Sequence, residues 1–148
     1  MTPIDIRALV KLPVDPAEHD AIRAEWTRHS IAEDARDIPG LMATLAPDCV
    51  YEVPQRGRRW EGHAGATRFY EALLAAFPDI HFALTNIVIG PQGVYEEALA
   101  TGTHKKEWLG FAPSGNHVEF RVIIYFPWDR ECKKFRGERV FFDLGQNS

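Results

Sequence analysis

The chain has 148 residues, of which 45% are apolar and 26% charged, and a formal net charge of -4. A chain of that size can bury roughly two-thirds of its unfolded surface in one core, and its composition excludes intrinsic disorder. The acidic balance leaves no basis for gripping nucleic acid. The absence of any apolar run near the roughly 20 residues of a membrane span, and of a signal-peptide start, predicts a cytoplasmic protein that neither binds nor crosses a membrane.

Residues 1–16 hold three prolines and no sustained period, so they are expected to form an extended arm ahead of a single domain over 17–148. A first helix over 17–37 places Ile22, Trp26 and then His29 or Ser30 on one partly apolar face, followed by Ala32 and Glu33. Asp37 is positioned to cap a shorter helix, IPGLMATLA. The segment PDCVYEVP then suits a strand, and QRGRR a solvated turn out of it. The clearest helix is GATRFYEALLAAF, where Ala66, Phe69, Tyr70, Leu73, Leu74 and Phe77 recur at three- and four-residue steps, ending at Pro78.

Downstream the pattern changes to β-branched and aromatic runs, HFALTNIVIG, VYEEALATGTHKKEW, HVEFRVIIYFPW and KFRGERVFFDL, which predict four consecutive strands. Helices first and antiparallel strands afterwards indicate an α+β fold. The long middle strands predict a twisted, bent sheet whose helices close a cone-shaped interior. Cys49 and Cys132 have neither metal nor redox spacing and are expected as reduced thiols. There is no metal-ligand spacing, phosphate loop or nucleophile elbow, so a cofactor-independent site without metal is expected.

Four segments in this order, APDCVYE, EGHAGATRFYEALLAAFPDIHF, GTHKKEWLGFAPSGNHVEF and ERVFFD, make the chain resemble the SnoaL-like polyketide cyclases of the nuclear-transport-factor-2-like superfamily. The resemblance runs from the first helix to Asp143. It implies a cone-shaped α+β barrel, three N-terminal helices on a strongly curved, mostly antiparallel sheet, with a pocket for a small hydrophobic molecule. It also implies a homodimer or larger homo-oligomer built on the outer sheet face. Cyclases of this family that close rings by an aldol step keep an aspartate and a histidine at positions occupied here by Val140 and about Ile124, neither of which can move a proton. Lys106 likewise replaces a glycine of the G-T-H stretch.

Acid/base chemistry must therefore come from other groups. His29 is the first candidate base, because it shares the helix face of Trp26 and titrates in the useful range; a histidine bonded at the core edge is the alternative. Glu138 shares a strand face with Val140 and Phe142, so it is either a displaced acid or base or the partner of Arg121 or Arg139. Tyr51, from the first strand, is placed to donate to an oxyanion. Tyr70, from the long helix, could likewise donate to an oxyanion from the pocket wall, or is core packing. His104 is expected to touch substrate or to pin its loop by a hydrogen bond, and Arg139 and Asp143 read as a pair anchoring the last strand. Trp26, Trp60, Trp108, Trp128, Ile124 and Val140 complete the expected wall.

The function these features support is cofactor-free cyclisation, isomerisation or hydration of a hydrophobic carbonyl compound. The alternatives are a passive small-ligand-binding domain, or an oligomerisation domain whose cone is filled by its own side chains.

Overall fold

A computed structural model describes residues 5–144; the first four residues of the expected arm and the last four of the expected domain lie outside them. The arm is not simply extended: Asp5 accepts the backbone N–H of Arg7 and caps a short helix α1, Ile6–Val10. Helix α2, Pro16–Asp34, begins at a Pro in the first turn, where a missing N–H costs nothing, with the Asp15 carboxylate accepting from Ala17 at 3.0 Å. Asp37 caps helix α3, Ile38–Met42, through Gly40 as the sequence predicts. That helix is shorter than expected, because the chain enters strand β1, Leu45–Val53, two residues before Pro47.

A 3-10 turn at Pro54–Arg56 leads into β2, Arg58–Glu61, a strand that the charged QRGRR segment conceals. Helix α4, Gly62–Ala76, follows, and then β3 His81–Gly90, β4 Gly93–Thr103, β5 His117–Asp129 and β6 Lys134–Asp143. The six strands form one sheet in the order β2-β1-β6-β5-β4-β3, antiparallel except where β1 runs parallel to β6. Register shifts in the β3/β4 pair at Leu84/Asn86 and in the β5/β6 pair at Tyr125/Trp128 bend the sheet, the second beside Pro127, which has no N–H for a ladder.

The third register shift, between Leu45 and Val50 against β6, sets the interior. Gly137 has φ +118°, and a Cβ there would lie 1.9 Å from the Val50 carbonyl oxygen. Only glycine allows this approach. It brings Tyr51 of β1 directly opposite Glu138 of β6 on the concave face. The core lies between that face and helices α2 and α4, with Ile22, Leu41, Tyr51, Phe69, Phe77, Phe126 and Phe135 among its enclosed side chains.

The motifs that carry the family resemblance meet in space. Asp79, of F-P-D after α4, accepts from the backbone N–H and the hydroxyl of Thr103, of G-T-H at the end of β4, at 2.6 and 2.8 Å. Phe77 stacks on His104 with ring centroids 4.7 Å apart, and the Lys105 N–H donates to the Ala76 carbonyl. A Cβ on Gly102 would press on Asp79, Ile80 and Phe77, so the pattern records a close helix-to-strand clasp.

Candidate active site

Inside the cone, helix α2 presents His29, helix α4 Tyr70, strand β1 Tyr51 and strand β6 Glu138, all 2% exposed or less. The Glu138 Oε2 atom receives hydrogen bonds from the hydroxyls of Tyr51 and Tyr70, both at 2.7 Å, and lies 3.0 Å from Nε2 of His29. The two phenol oxygens are 2.6 Å apart, and Tyr70 is 3.3 Å from His29 Nε2. The three catalytic candidates named from sequence, His29, Tyr51 and Glu138, are thus in one cluster with Tyr70. The partner of Glu138 is neither Arg121 nor Arg139. Arg139 pairs across to Glu52 at 3.1 Å on the other face, which also dissolves the expected Arg139 and Asp143 anchor.

Thr44, which sequence reasoning passed over, fixes the histidine. Its one hydroxyl proton donates to the Leu41 carbonyl at 2.7 Å, so its oxygen accepts from His29 Nδ1 at 2.8 Å. Nδ1 therefore carries a proton, and Nε2 faces the carboxylate. Counting the hydroxyl protons and the one shared by His29 and Glu138, three protons serve five short contacts. Moving any one of them re-orders the others.

Burial opposes a charge on His29, but the hydrogen bond and charge of Glu138 outweigh it and hold the pKa above its ordinary value. Burial and the Glu138 charge push both phenols well above the usual tyrosine range, so they stay neutral donors. The His29 ring is edged by Phe126 at 5.3 Å and Phe135 at 6.4 Å, which keeps water from the pair.

A cavity of about 30 Å³ lies against this cluster, lined by apolar side chains of α4, the sheet and the loop after β4, among them Leu73, Phe120, Ile124, Trp108 and Val140, and by three polar ones, Tyr70, Glu138 and Glu33. Its volume holds about one water molecule. The cone is thus largely filled by its own aromatics as it stands. His29 and Tyr51 stand behind the polar wall and do not line the cavity.

The other expected wall residues are placed as follows. Ile124 and Val140 face each other across β5 and β6 and do line the cavity, and Trp108 covers it from the loop after β4. Trp60 lies outside, edge-on to Phe69 at 5.1 Å, in a surface cleft. Trp26 hydrogen-bonds the Glu96 carboxyl, and Trp128 donates to Glu18 at 2.6 Å. His104 neither touches the cavity nor pins its loop through the ring, since both ring nitrogens lack a partner; its backbone pairs with Asn116 and Gly115. Arg56 is exposed, as expected of a solvated turn, and also donates to the Leu109 carbonyl at 3.0 and 2.8 Å.

Two carboxyls not proposed from sequence join the site. Glu33 is one helical turn past His29. Burial pushes it up to about 8, helped by the nearby charges of Glu138, Glu96 and Asp34 and opposed by His29. Glu96 of β4 stands in the same cross-strand row as Ile124 and Val140, and burial with the Glu138 charge pushes it up to about 8 as well. The spacing of Glu33 from His29 could have marked it. Thr44 gives no such signal, because the turn from α2 to α3 delivers it. Among the described residues no group of three His, Cys, Asp or Glu is arranged to hold a metal ion, and no helix is long and apolar enough to cross a membrane.

Helices packed on one concave, strongly bent sheet with a buried polar cluster at its floor define the cone-shaped nuclear-transport-factor-2-like class. Within it the sequence matches the SnoaL-like polyketide cyclases over residues 20–144, and the chain belongs to that family. Comparison with curated protein sequences returns no match. Among solved structures, a SnoaL-like protein from Jannaschia sp. assigned as a polyketide cyclase is similar, with 21% identity, TM-score 0.70 and 90% of each chain covered. So is a nuclear-transport-factor-2-like protein of unknown function from Burkholderia pseudomallei, with 15% identity, TM-score 0.71 and coverage of 84% of this chain and 92% of that one. AclR of Streptomyces galilaeus, assigned as a hydroxylase, has 20% identity, TM-score 0.68 and coverage of 85% and 81%. At these identities the likeness establishes the fold.

Proposed function

We propose that the protein is a cofactor-free acid/base enzyme acting on a small, hydrophobic, carbonyl-bearing molecule. The observation that carries this reading is the cavity wall, apolar except for Tyr70, Glu138 and Glu33, with His29 and Tyr51 hydrogen-bonded behind it. In the mechanism, the Glu138 carboxylate takes a proton from the carbon beside the carbonyl. The C–H electron pair moves into the enolate, and charge collects on oxygen. Once protonated, Glu138 is a poorer acceptor, so the Tyr70 hydroxyl is released toward that oxygen. His29, held by Thr44, keeps a positive charge beside the new anion. The enolate then attacks a second carbonyl, closing a ring, or is protonated at another carbon.

A guest larger than water must displace part of the wall, and the part proposed to move is the loop carrying Trp108, which lies outside the long strands. The same reading places a second copy of the chain on the outer sheet face, where Val88, Tyr95, Ile123 and Phe141 are exposed. One observation favours a non-catalytic domain instead: the small volume of the cavity.

Turnover of 5-nitrobenzisoxazole, a small carbon acid that opens to a phenolate when a base removes its ring proton, separates the two. The enzyme reading expects turnover that E138Q abolishes and Y70F lowers by roughly 10- to 100-fold, the range of a single acid/base or oxyanion contact. A wild-type rate no higher than that of E138Q would leave the non-catalytic reading standing.

A further inference from the structure

The polar wall holds two carboxyls in opposite circumstances. Glu138 accepts from two phenols and faces His29. Glu33 lines the same cavity from the helix side and accepts no hydrogen bond from any described residue. The groups whose charges reach it are His29 and Asp34 of α2, Glu138 of β6 and Glu96 of β4, so three of the four are carboxyls. It lies near enough to Tyr51 of β1 and Tyr70 of α4 for its charge to act on both phenols.

Two carboxyls at one cavity, one supplied with donors and one surrounded by like charge, divide the roles of base and acid. We infer that Glu33 is the general acid of this site, delivering its proton to the oxygen that becomes negative after Glu138 has taken a proton from carbon. The inference rests on the enzyme reading above for its chemistry, and on the cavity wall for its geometry.

The step balances without an oxidant or co-reactant. Glu138 removes the proton, and the C–H pair becomes the enolate. The enolate carbon bonds to the carbon of a second carbonyl, whose π pair moves onto oxygen. The O–H bond of Glu33 breaks toward that oxygen, leaving a hydroxyl on the product and a carboxylate at Glu33. Product and substrate are isomers, and the proton on Glu138 returns to Glu33 by exchange with solvent. A pKa pushed up to about 8 suits the role, because the group is protonated at neutral pH yet close to releasing its proton. The substrate class this selects is a dicarbonyl compound that closes on itself, with the accepting oxygen on the helix side of the cavity.

The test is carbon-13 NMR of the whole chain labelled at the glutamate carboxyl carbon, followed from pH 4 to 10 in wild type, E33Q, E96Q and E138Q. Two carboxyl signals are expected to move near pH 8, one missing in E33Q and the other in E96Q. The pH profile of 5-nitrobenzisoxazole turnover should fall above about pH 8 in wild type. In E33Q that fall should vanish and the plateau rate drop roughly 10-fold or more, with partial recovery in E33D. A Glu33 signal moving in the ordinary carboxylate range, or an alkaline fall that survives in E33Q, overturns the inference. An E138Q variant as active as wild type would instead overturn the base assignment beneath it, with the Glu33 titration still in place.

Discussion

His29 and His104 are both enclosed, at 2% and 0% exposure, yet the protein treats them in opposite ways. The His29 ring has Thr44 on Nδ1 and both Glu138 and Tyr70 at Nε2. The His104 ring has no partner on either nitrogen and lies as a flat apolar plate on Phe77. His104 belongs to the stretch that makes the sequence recognisable; His29 belongs to none. The contrast teaches that a residue inside a matched segment can serve only the clasp between α4 and β4, whereas the polar cluster takes Tyr51, Tyr70 and Glu138 from three matched segments and its histidine from none. A buried ring without hydrogen bonds costs about 1–3 kcal/mol, and the packing of the clasp offsets it.

The largest test of this contrast removes the carboxylate under His29. E138A leaves a buried imidazole and two buried phenols without their acceptor, and should cost about 3–5 kcal/mol in denaturant unfolding. Followed across pH, the same experiment has a sign. His29 has a raised folded pKa, so its stabilisation is complete below the ordinary histidine value near 6.5 and is lost as pH rises through the folded value. Glu33 and Glu96, raised from 4.5 to about 8, bind more protons folded than unfolded across that window, and so also make stability fall with rising pH. Wild type should therefore weaken from about pH 5 to beyond pH 8. In E138A the hydrogen bond and charge of Glu138 are gone and burial of His29 is opposed only by the charges of Glu33 and Glu25, so the fall should become shallower. An unchanged slope would mean that His29 is not coupled to Glu138.

At His104 the expected change is smaller and opposite. H104F keeps a ring against Phe77 and removes both unpartnered nitrogens, which should stabilise the fold by about 1 kcal/mol, or roughly 2–4 °C in Tm for a chain of this size. A loss of stability would show that the imidazole is bonded in solution and that the two histidines are alike.

Much of this fold can be read from periodicity because the two long helices and four of the strands each bury one regular face: Phe69, Tyr70 and Leu73 on α4, and Glu138, Val140 and Phe142 on β6. The same alternation brought Glu138 to the interior on paper. Strand β2 could not be read, since Arg58, Arg59 and Glu61 are exposed and its pairing with β1 needs no buried face. The histidine and carboxylate were legible one at a time, but not as partners, because their meeting depends on Gly137 letting β1 and β6 approach and on Thr44 arriving from another helix. Glu33, one helical turn past His29, was passed over for a different reason. A carboxyl on a helix is ordinarily solvated, whereas this one is half-buried against the cavity, and burial first, then the neighbouring carboxyl charges, raises it.

The smallest expected effect concerns the loop that starts at His104 and carries Trp108 over the cavity. Arg56 reaches it from the turn before β2, with two N–H groups on the Leu109 carbonyl and the guanidinium 4.7 Å from the Phe111 ring centroid. Leu109 sits at φ +51°, a left-handed conformation that a non-glycine residue holds only under constraint. Arg56 is exposed, so R56A should cost no more than about 1 kcal/mol globally. It should still raise amide exchange over residues 105–116 several-fold while leaving α2 and β6 unchanged. If the cavity opens through this loop, the same variant binds and turns over 5-nitrobenzisoxazole at lower concentration than wild type. Unchanged exchange would mean that the bridge between Trp108 and Phe111, together with the His104 backbone bonds, holds the loop without the arginine. The route to Glu138 would then lie elsewhere along the wall, past Ile80 and Phe82, where β3 forms the free edge of the sheet.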